Sequence, residues 1–329
     1  MGSSEPVGAS RPEPEPSAPG REAPAAEREP LILSVQHFCI HDGPGVRSLV
    51  FFKGCPLRCA WCQNPESWSP RAQLGFKPHL CIACRTCVEV CPNKAVTAPG
   101  VRDHGRCRLC FTCVDHCPSG AMVRFGEPRS VESIVDELRP EFPLFRQSGG
   151  GVTLSGGEPT MFPRFAADLA RRLKAEGIHV AMETCGEFDL AAAGDLLASL
   201  DLVLFDIKVF DDAEQRRWCG VGNNRIKANL RAMVAAAAQG KGPRVWPRMP
   251  LIPEAIDTPR NFDKWGGLLQ ELGIPRMTLV PYHNLGDAKR DWLGISAVSL
   301  VKSDPDRTAA GHPRRVPGVD SCAPGEEVF

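Results

Sequence analysis

The chain has 329 residues, 43% of them hydrophobic, with a formal net charge of zero and fifteen cysteines. That length supports one sizeable core and leaves room for a small second module. The even charge excludes the basic profile of a nucleic-acid or anionic-membrane binder, and no apolar run reaches the roughly 18 residues of a membrane span. A soluble, cytoplasmic protein with no nucleic-acid or membrane partner is expected.

Residues 1–30 are rich in Pro, Glu, Ala and Ser with almost nothing bulky, and read as a disordered tail. Six glutamates beside three arginines argue against a mitochondrial address. From Leu31 onward, β-rich runs alternate with helical patterns. Ser48–Phe52 leads into Gly54-Cys55, Val152–Leu154 into Ser155-Gly156-Gly157-Glu158, and His179–Met182 into Glu183-Thr184. Leu202–Phe205 then leads into Asp206-Ile207-Lys208, Arg244–Trp246 into Arg248-Met249-Pro250, and Met277–Val280 into Pro281-Tyr282-His283. Between them, apolar residues recur at helical spacing, as in Phe165, Leu169 and Leu173 or Leu190, Ala193 and Leu197, and Asn223 and Asn224 are placed to cap the next helix. Six βα units predict an α/β fold with a parallel sheet, fewer than the eight strands of a closed barrel and therefore a partial (β/α)6 barrel over 31–75 and 126–300. Residues 301–329 lose apolar periodicity and are expected to stay unpacked.

The cysteines crowd into one stretch: all but Cys39, Cys185, Cys219 and Cys322 fall between Cys55 and Cys117. With no signal-peptide pattern this favours metal ligation over disulfides. Cys55-Pro-Leu-Arg-Cys59-Ala-Trp-Cys62 places three thiols on one loop, enough to hold three irons of a [4Fe-4S] cube and leave the fourth open to substrate. Structural zinc would want a fourth Cys or His at matched spacing, and none is evident. The four outlying cysteines read as free, mostly buried thiols.

This spacing after the first barrel strand resembles the radical S-adenosylmethionine superfamily. The strings His41-Asp-Gly-Pro-Gly-Val-Arg47, Gln63-Asn-Pro-Glu66 and Tyr282-His-Asn-Leu-Gly286 resemble, more narrowly, the activating enzymes of glycyl radical enzymes, over roughly Leu33 to Gly294. The resemblance implies an open iron that chelates the methionyl group of S-adenosylmethionine, reductive cleavage to methionine and a 5'-deoxyadenosyl radical, and hydrogen abstraction from a glycine of a partner enzyme. It assigns Gly156, Gly157 and Glu158 to the methionine amino group, although a tight turn alone would account for the glycines. Asp206 and Lys208 alternate along one strand and share a face, so they read as cofactor contacts or an internal salt bridge. Glu183 and Thr184 are candidates for the ribose or methionine part, His283 and Trp61 for adenine, Gln63 for the same pocket. Arg248 reads either as a carboxylate-binding guanidinium or as a surface charge.

A second module interrupts the barrel at 76–125. Cys81, Cys84, Cys87 and Cys91-Pro92 are followed at the same spacing by Cys107, Cys110, Cys113 and Cys117-Pro118, the bacterial two-cluster ferredoxin run repeated. In that arrangement the fourth cysteines cross over, so Cys81, Cys84, Cys87 and Cys117 hold one cube and Cys107, Cys110, Cys113 and Cys91 the other. Such an inserted ferredoxin-like α+β module would carry electrons from a flavodoxin or ferredoxin to the radical cluster, or shape the surface for the partner. Three features depart from the family: Glu254-Ala-Ile-Asp257 stands where a Gly and later an Asn are usual, Cys219 replaces a common threonine, and a Ser-, Pro- and Arg-rich tail follows Leu293-Gly294, leaving the last barrel edge without its expected helix. The rival readings are a radical enzyme acting on a small molecule or peptide, and a non-catalytic electron-transfer protein.

Overall fold

A computed structural model describes residues 29–284, 286–296, 316–322 and 324, so the expected N-terminal tail up to residue 28 lies outside the described residues. In chain order the strands are β1 (Leu31–Cys39), β2 (Arg47–Lys53), β3 (Gln73–Phe76), β4 (Val96–Ala98), β5 (Val101–Arg102), β6 (Met122–Phe125), β7 (Glu127–Pro128), β8 (Gly151–Gly156), β9 (His179–Thr184), β10 (Leu202–Asp206), β11 (Arg244–Leu251), β12 (Arg276–Pro281) and β13 (Asp320–Cys322). The main sheet runs β13-β12-β11-β10-β9-β8-β2-β1-β7. Every pair from β2 to β13 is parallel, whereas β1 pairs antiparallel with both β2 and β7.

The six parallel strands expected from the sequence are β2, β8, β9, β10, β11 and β12. Their runs, such as Val152 to Leu154 and Leu202 to Phe205, are buried along their length, as strands covered on both faces require. Strand β1 differs, since its residues alternate between packed and open positions, the pattern of a sheet edge with one solvated face.

The outer helices are α3 (Val131–Leu138), α4 (Phe142–Ser148), α5 (Pro163–Ala175), α6 (Gly194–Ala198), α7 (Asp212–Cys219), α8 (Asn224–Ala238), α9 (Pro259–Glu271) and α10 (Gly286–Leu293), after two single turns in the insert, α1 (Thr86–Glu89) and α2 (Thr112–Asp115). Their starts follow capping chemistry: the side chains of Ser130, Asp211 and Thr258 accept from backbone N–H groups of the first turns of α3, α7 and α9. Phe165, Leu169 and Leu173 bury the inner face of α5 as their spacing predicts. The pattern at Leu190, Ala193 and Leu197 yields only the short α6, with Leu190 and Ala193 in the turn before it. Asn223 occupies the N-cap position of α8 without capping it. Its side chain is buried and donates to the carbonyls of Val209 and Phe210 at 2.6 Å, closing the β10–α7 connection instead.

The expectation that 301–329 stays unpacked is corrected for its last part. Residues 297–315 lie outside the described residues, but Val316 and Val319 are buried and β13 adds in parallel to β12, with Asp320 N–H donating to the carbonyl of Pro275 at 2.8 Å. A three-residue strand thus covers the edge that the sequence left bare. Nearby, Glu254 has φ +64°, so the loop after Pro253 keeps a backbone of the kind glycine favours, with glutamate in it.

The insert grows from a two-strand stem. Strands β3 and β6 pair antiparallel from Gln73↔Phe125 to Phe76↔Met122, and the module has a small core of its own built on Leu74, Cys87, Val96, Phe111, Cys113 and Met122.

Candidate radical-generating site

The loop Gly54–Cys62 leaves the C-terminal end of β2 and is held by backbone hydrogen bonds on three sides. Gly54 N–H donates to Ser67 O at 2.7 Å, Arg58 N–H to Cys219 O at 2.8 Å, and Ala60 N–H to Trp218 O at 3.0 Å. From α10, the buried guanidinium of Arg290 donates to the carbonyls of Cys59 and Ala60, and Lys289 reaches Asn64 and Glu66. Gln63 ties the loop to the end of β12: its amide donates to His283 O at 2.6 Å and accepts from Gly286 N–H at 2.9 Å. These clamps fix the path of the cysteine loop. Burial pushes the Cys62 thiol up to about 12, aided by the neighbouring Cys59 and Cys55.

Strand β8 supplies the next layer. Gly156, at φ +98°, lies so close to β2 that a Cβ there would stand 2.5 Å from Phe52 N, and a Cβ on Gly157 would stand 2.1 Å from Gly54 O. The close approach that these glycines permit is therefore to the backbone leading into Cys55, and Glu158 N–H completes it by donating to Gly54 O at 2.7 Å. The Glu158 side chain is fully buried. Its carboxylate accepts from the hydroxyls of Thr160 (2.7 Å) and Thr184 (2.9 Å) and from Cys185 N–H (2.8 Å), bracing β8 to β9. Thr184 is spent on the same brace and accepts from Gly186 N–H. Trp61 packs in the core with Trp218, ring centroids 6.3 Å apart, whereas the His283 ring is exposed.

The strand ends converge on a charged cluster. Arg248 is one-tenth exposed and ion-pairs with Glu183 at 2.7 Å, Asp206 at 3.2 Å and Asp42 at 3.3 Å, and Lys208 meets Asp206 at 3.4 Å. The surface-charge reading of Arg248 is thereby replaced by a buried one. Burial opposes both cations, yet Asp206 with the Cys59, Cys185 and Cys219 thiols offsets it at Lys208, and Glu183, Asp206 and Asp42 offset it at Arg248, so both pKa values rise. Burial pushes Glu183 up to about 8 against the pull of Arg248, and the charges of Asp42 and Asp206 add to the rise; Ser155 donates its hydroxyl to it. Sequence reasoning named Asp206, Lys208, Arg248 and Glu183 but missed Asp42, Ser155 and Arg290. It also missed that Cys185 lies within hydrogen-bonding reach of Cys55, and Cys219 of Cys59. No sequence signal tied those outlying thiols to the loop.

Among the described residues no three His, Cys, Asp or Glu side chains gather on a single ion. The donors of an iron-sulfur cube are spread over different irons. Three disulfide-free thiols on one clamped loop fit a thiolate-held cluster.

In the insert, Cys81, Cys84, Cys87 and Cys117 line one concavity with Phe76 and Met122. Cys91, Cys107, Cys110 and Cys113 line another with Leu74 and Phe111. The two loops repeat one conformation: left-handed residues stand at Ala83 and Arg85 in the first and at Leu109 and Phe111 in the second. In each a threonine hydroxyl donates to a thiol, Thr86 to Cys84 at 3.3 Å and Thr112 to Cys110 at 3.4 Å.

The radical SAM superfamily model matches residues 101–265, and the 4Fe-4S binding domain model matches residues 76–97. Parallel βα units with a clamped three-cysteine loop at their C-terminal mouth define a radical S-adenosylmethionine enzyme. The chain is 37% identical to the isethionate sulfite-lyase activating enzyme of Nitratidesulfovibrio vulgaris over 81% of this chain and 88% of the relative. It is 38% identical to the benzylsuccinate synthase activating enzyme of Thauera aromatica over 85% and 86%. A domain of the pyruvate-formate lyase-activating enzyme from Bacteroides vulgatus is 30% identical, covering 41% of this chain and 83% of that chain, with a TM-score of 0.38. The chain belongs to the glycyl radical enzyme activating enzymes of the radical SAM superfamily, which cleave S-adenosylmethionine to generate a radical for their partner. No helix among the described residues is long and apolar enough to cross a membrane.

Proposed function

We propose that Cys55, Cys59 and Cys62 hold the radical cluster and that the charged strand ends receive S-adenosylmethionine beside it. A [4Fe-4S] cluster held there would supply the electron for reductive cleavage of S-adenosylmethionine, and the 5'-deoxyadenosyl radical so formed would take a hydrogen atom from a partner glycine. The observation that carries this reading is the convergence of the cysteine loop, the Gly156-Gly157 turn and the Arg248 cluster at one end of the parallel strands. Lys208 and Arg248 offer cations to the methionyl carboxylate, and Asp206 and Glu183 offer acceptors to its ammonium or the ribose. Glu158, Thr184, Gly156, Gly157 and Gln63 act through the backbone they fix, while Trp61 and His283 stand on the adenine side. In the barrel, desolvated charges that are already paired orient a ligand with little reorganisation.

The insert, in this proposal, holds two further [4Fe-4S] clusters, on Cys81, Cys84, Cys87 and Cys117 and on Cys91, Cys107, Cys110 and Cys113, and passes electrons inward from a flavodoxin or ferredoxin in the cytoplasm. The two concavities, each lined by one crossed-over set, support it. Three clusters amount to about 12 irons per chain.

The test is anaerobic incubation with reductant, S-adenosylmethionine and a purified glycyl radical partner. A glycine-centred paramagnetic signal on the partner is expected, together with loss of all deoxyadenosine formation when Cys55, Cys59 and Cys62 are replaced by Ala. Deoxyadenosine with no oxidised glycine on any partner offered would sink the assignment.

A further inference from the structure

We infer that Trp292 is a positioning residue of the radical site: it fastens α10 to the insert, so that the first cluster of the insert sets the path of the loop carrying Cys59 and Cys62 without any electron passing between them. The inference rests on the reading of the insert as a two-cluster module. Its own support is a chain of contacts that runs from Cys81 and Cys117 to Cys59.

The link on the insert side is the turn Pro78–Leu80. Lys77 N–H donates to Ala121 O at 2.8 Å and Cys81 N–H to Pro78 O at 3.1 Å, while Met122 N–H donates to the Cys117 sulfur at 3.4 Å. The turn therefore abuts the first set of cysteines both along the chain, at Cys81, and across the stem, at Cys117. Its side chains reach α10. The Lys77 ammonium stands 5.0 Å from the Trp292 ring centroid, and the His79 ring lies 6.0 Å from the same indole at 38°. Both distances are those of attractive cation–π and aromatic contacts. The link on the barrel side is α10 itself. Trp292 follows Lys289 by three residues, so the two are neighbours on the helix surface, and Gly286, Lys289 and Arg290 share the adjoining face. That face grips the cysteine loop: Arg290 donates to Cys59 O at 3.3 Å and to Ala60 O at 2.8 Å, and Lys289 meets Glu66 at 2.6 Å. A Cβ on Gly286 would stand 2.5 Å from Cys62 O, so helix and loop touch backbone to backbone and a shift of one displaces the other.

The state of the insert reaches this face because the insert cannot hold its shape alone. Of the six buried side chains in its core, Cys87 and Cys113 belong to the cysteine sets, and Cys91 and Cys117 pack against them. A module with so small a core folds on its metal. Loading the first cluster orders the Pro78–Leu80 turn, the turn seats Trp292, and Trp292 seats the helix that grips Cys59 and Cys62. Coupling of this kind travels through packed side chains and hydrogen bonds, and contacts one layer outside a metal's ligands change its binding properties about 10–100-fold.

The experiment titrates the dithionite-reduced, full-length holoenzyme with S-adenosylmethionine and follows the change in its electron paramagnetic resonance spectrum, which reports the cluster that has an open iron. Dithionite removes any dependence on a carrier protein. Trp292→Ala is expected to keep about 12 irons per chain and to need about tenfold more S-adenosylmethionine for half of the spectral change. Trp292→Phe, which keeps a ring for Lys77 and His79, should titrate as wild type. Lys77→Ala combined with His79→Ala should reproduce the Trp292→Ala shift from the insert side, and so should Cys84→Ala combined with Cys87→Ala, with about 8 irons retained. The inference is overturned if Trp292→Ala or the Lys77 and His79 double variant titrates as wild type with its iron in place, if Trp292→Phe is as impaired as Trp292→Ala, or if loss of the first cluster leaves the titration unmoved. Should Trp292→Ala lose iron, the double variant, whose side chains lie outside the core, decides. Iron analysis of the wild type separates the underlying reading: about 4 irons per chain instead of about 12 removes the two-cluster module itself.

Discussion

At Glu183 three carboxylates share the charge of one guanidinium and one ammonium, and burial favours the protonated form of Glu183. An unfolded glutamate titrates near 4.3, whereas Glu183 in the fold is pushed up to about 8 by burial. Between those values the folded chain binds more protons than the unfolded one, so this group's contribution is fully present at low pH and is lost as pH rises towards 8, at about 1.4 kcal/mol per pH unit. Denaturant unfolding of the cluster-free chain from pH 5 to 8.5 should show that loss, and Glu183→Gln should remove most of it; equal slopes for the two proteins would refute the account. Arg248→Met leaves Asp42, Glu183 and Asp206 with Lys208 as the one cation of the cluster and should destabilise the chain by about 3–5 kcal/mol in the same assay at pH 7. The sequence displayed Asp206, Lys208 and Arg248 because strand ends are where charge interrupts an apolar run. It could not display Asp42 beside Arg248, since that contact joins positions at opposite ends of the barrel sequence.

Elements make the site by leaning on one another. The β8 turn touches the cysteine loop backbone to backbone, so Gly157→Ala forces a Cβ to within 2.1 Å of Gly54 O. Overpacking of this kind costs about 1–3 kcal/mol, and the displaced partner here is the loop that carries Cys55. Purified Gly157→Ala should therefore hold less iron than wild type after anaerobic reconstitution, with the insert's share retained; undiminished iron would show that the contact yields without disturbing the cysteines. The parallel strands were legible because each is a short apolar run closed by polar residues. The cap of α8 was legible only as a position. Asn223 turns its amide towards Val209 and Phe210, a choice set by the neighbouring connection and invisible in the local pattern. Similarly, Glu158 reads as a ligand contact by resemblance, while its burial shows a carboxylate already satisfied by Thr160, Thr184 and Cys185.

Across the whole molecule, the far C-terminal residues return to close the sheet. Val316 is 1% exposed and Val319 5%, so each hides nearly its whole side chain against the barrel. Val316→Asp should cost about 3 kcal/mol or more through lost burial and a desolvated carboxylate, read as a fall in the unfolding midpoint; an unchanged midpoint would mean that β13 docks without contributing to stability. Three residues, Asp-Ser-Cys, are too few to announce a strand, and only the neighbouring edge of β12 gives them that form. The insert, by contrast, was announced twice over by its repeated cysteine spacing. Its attachment carries a further implication. The chain departs at Gln73 and comes back at Phe125, two residues that face each other in register, so the whole module enters and leaves the barrel through one antiparallel pair of strands. A lineage can gain, lose or exchange such a cassette in a single genetic event while the parallel strands stay as they were.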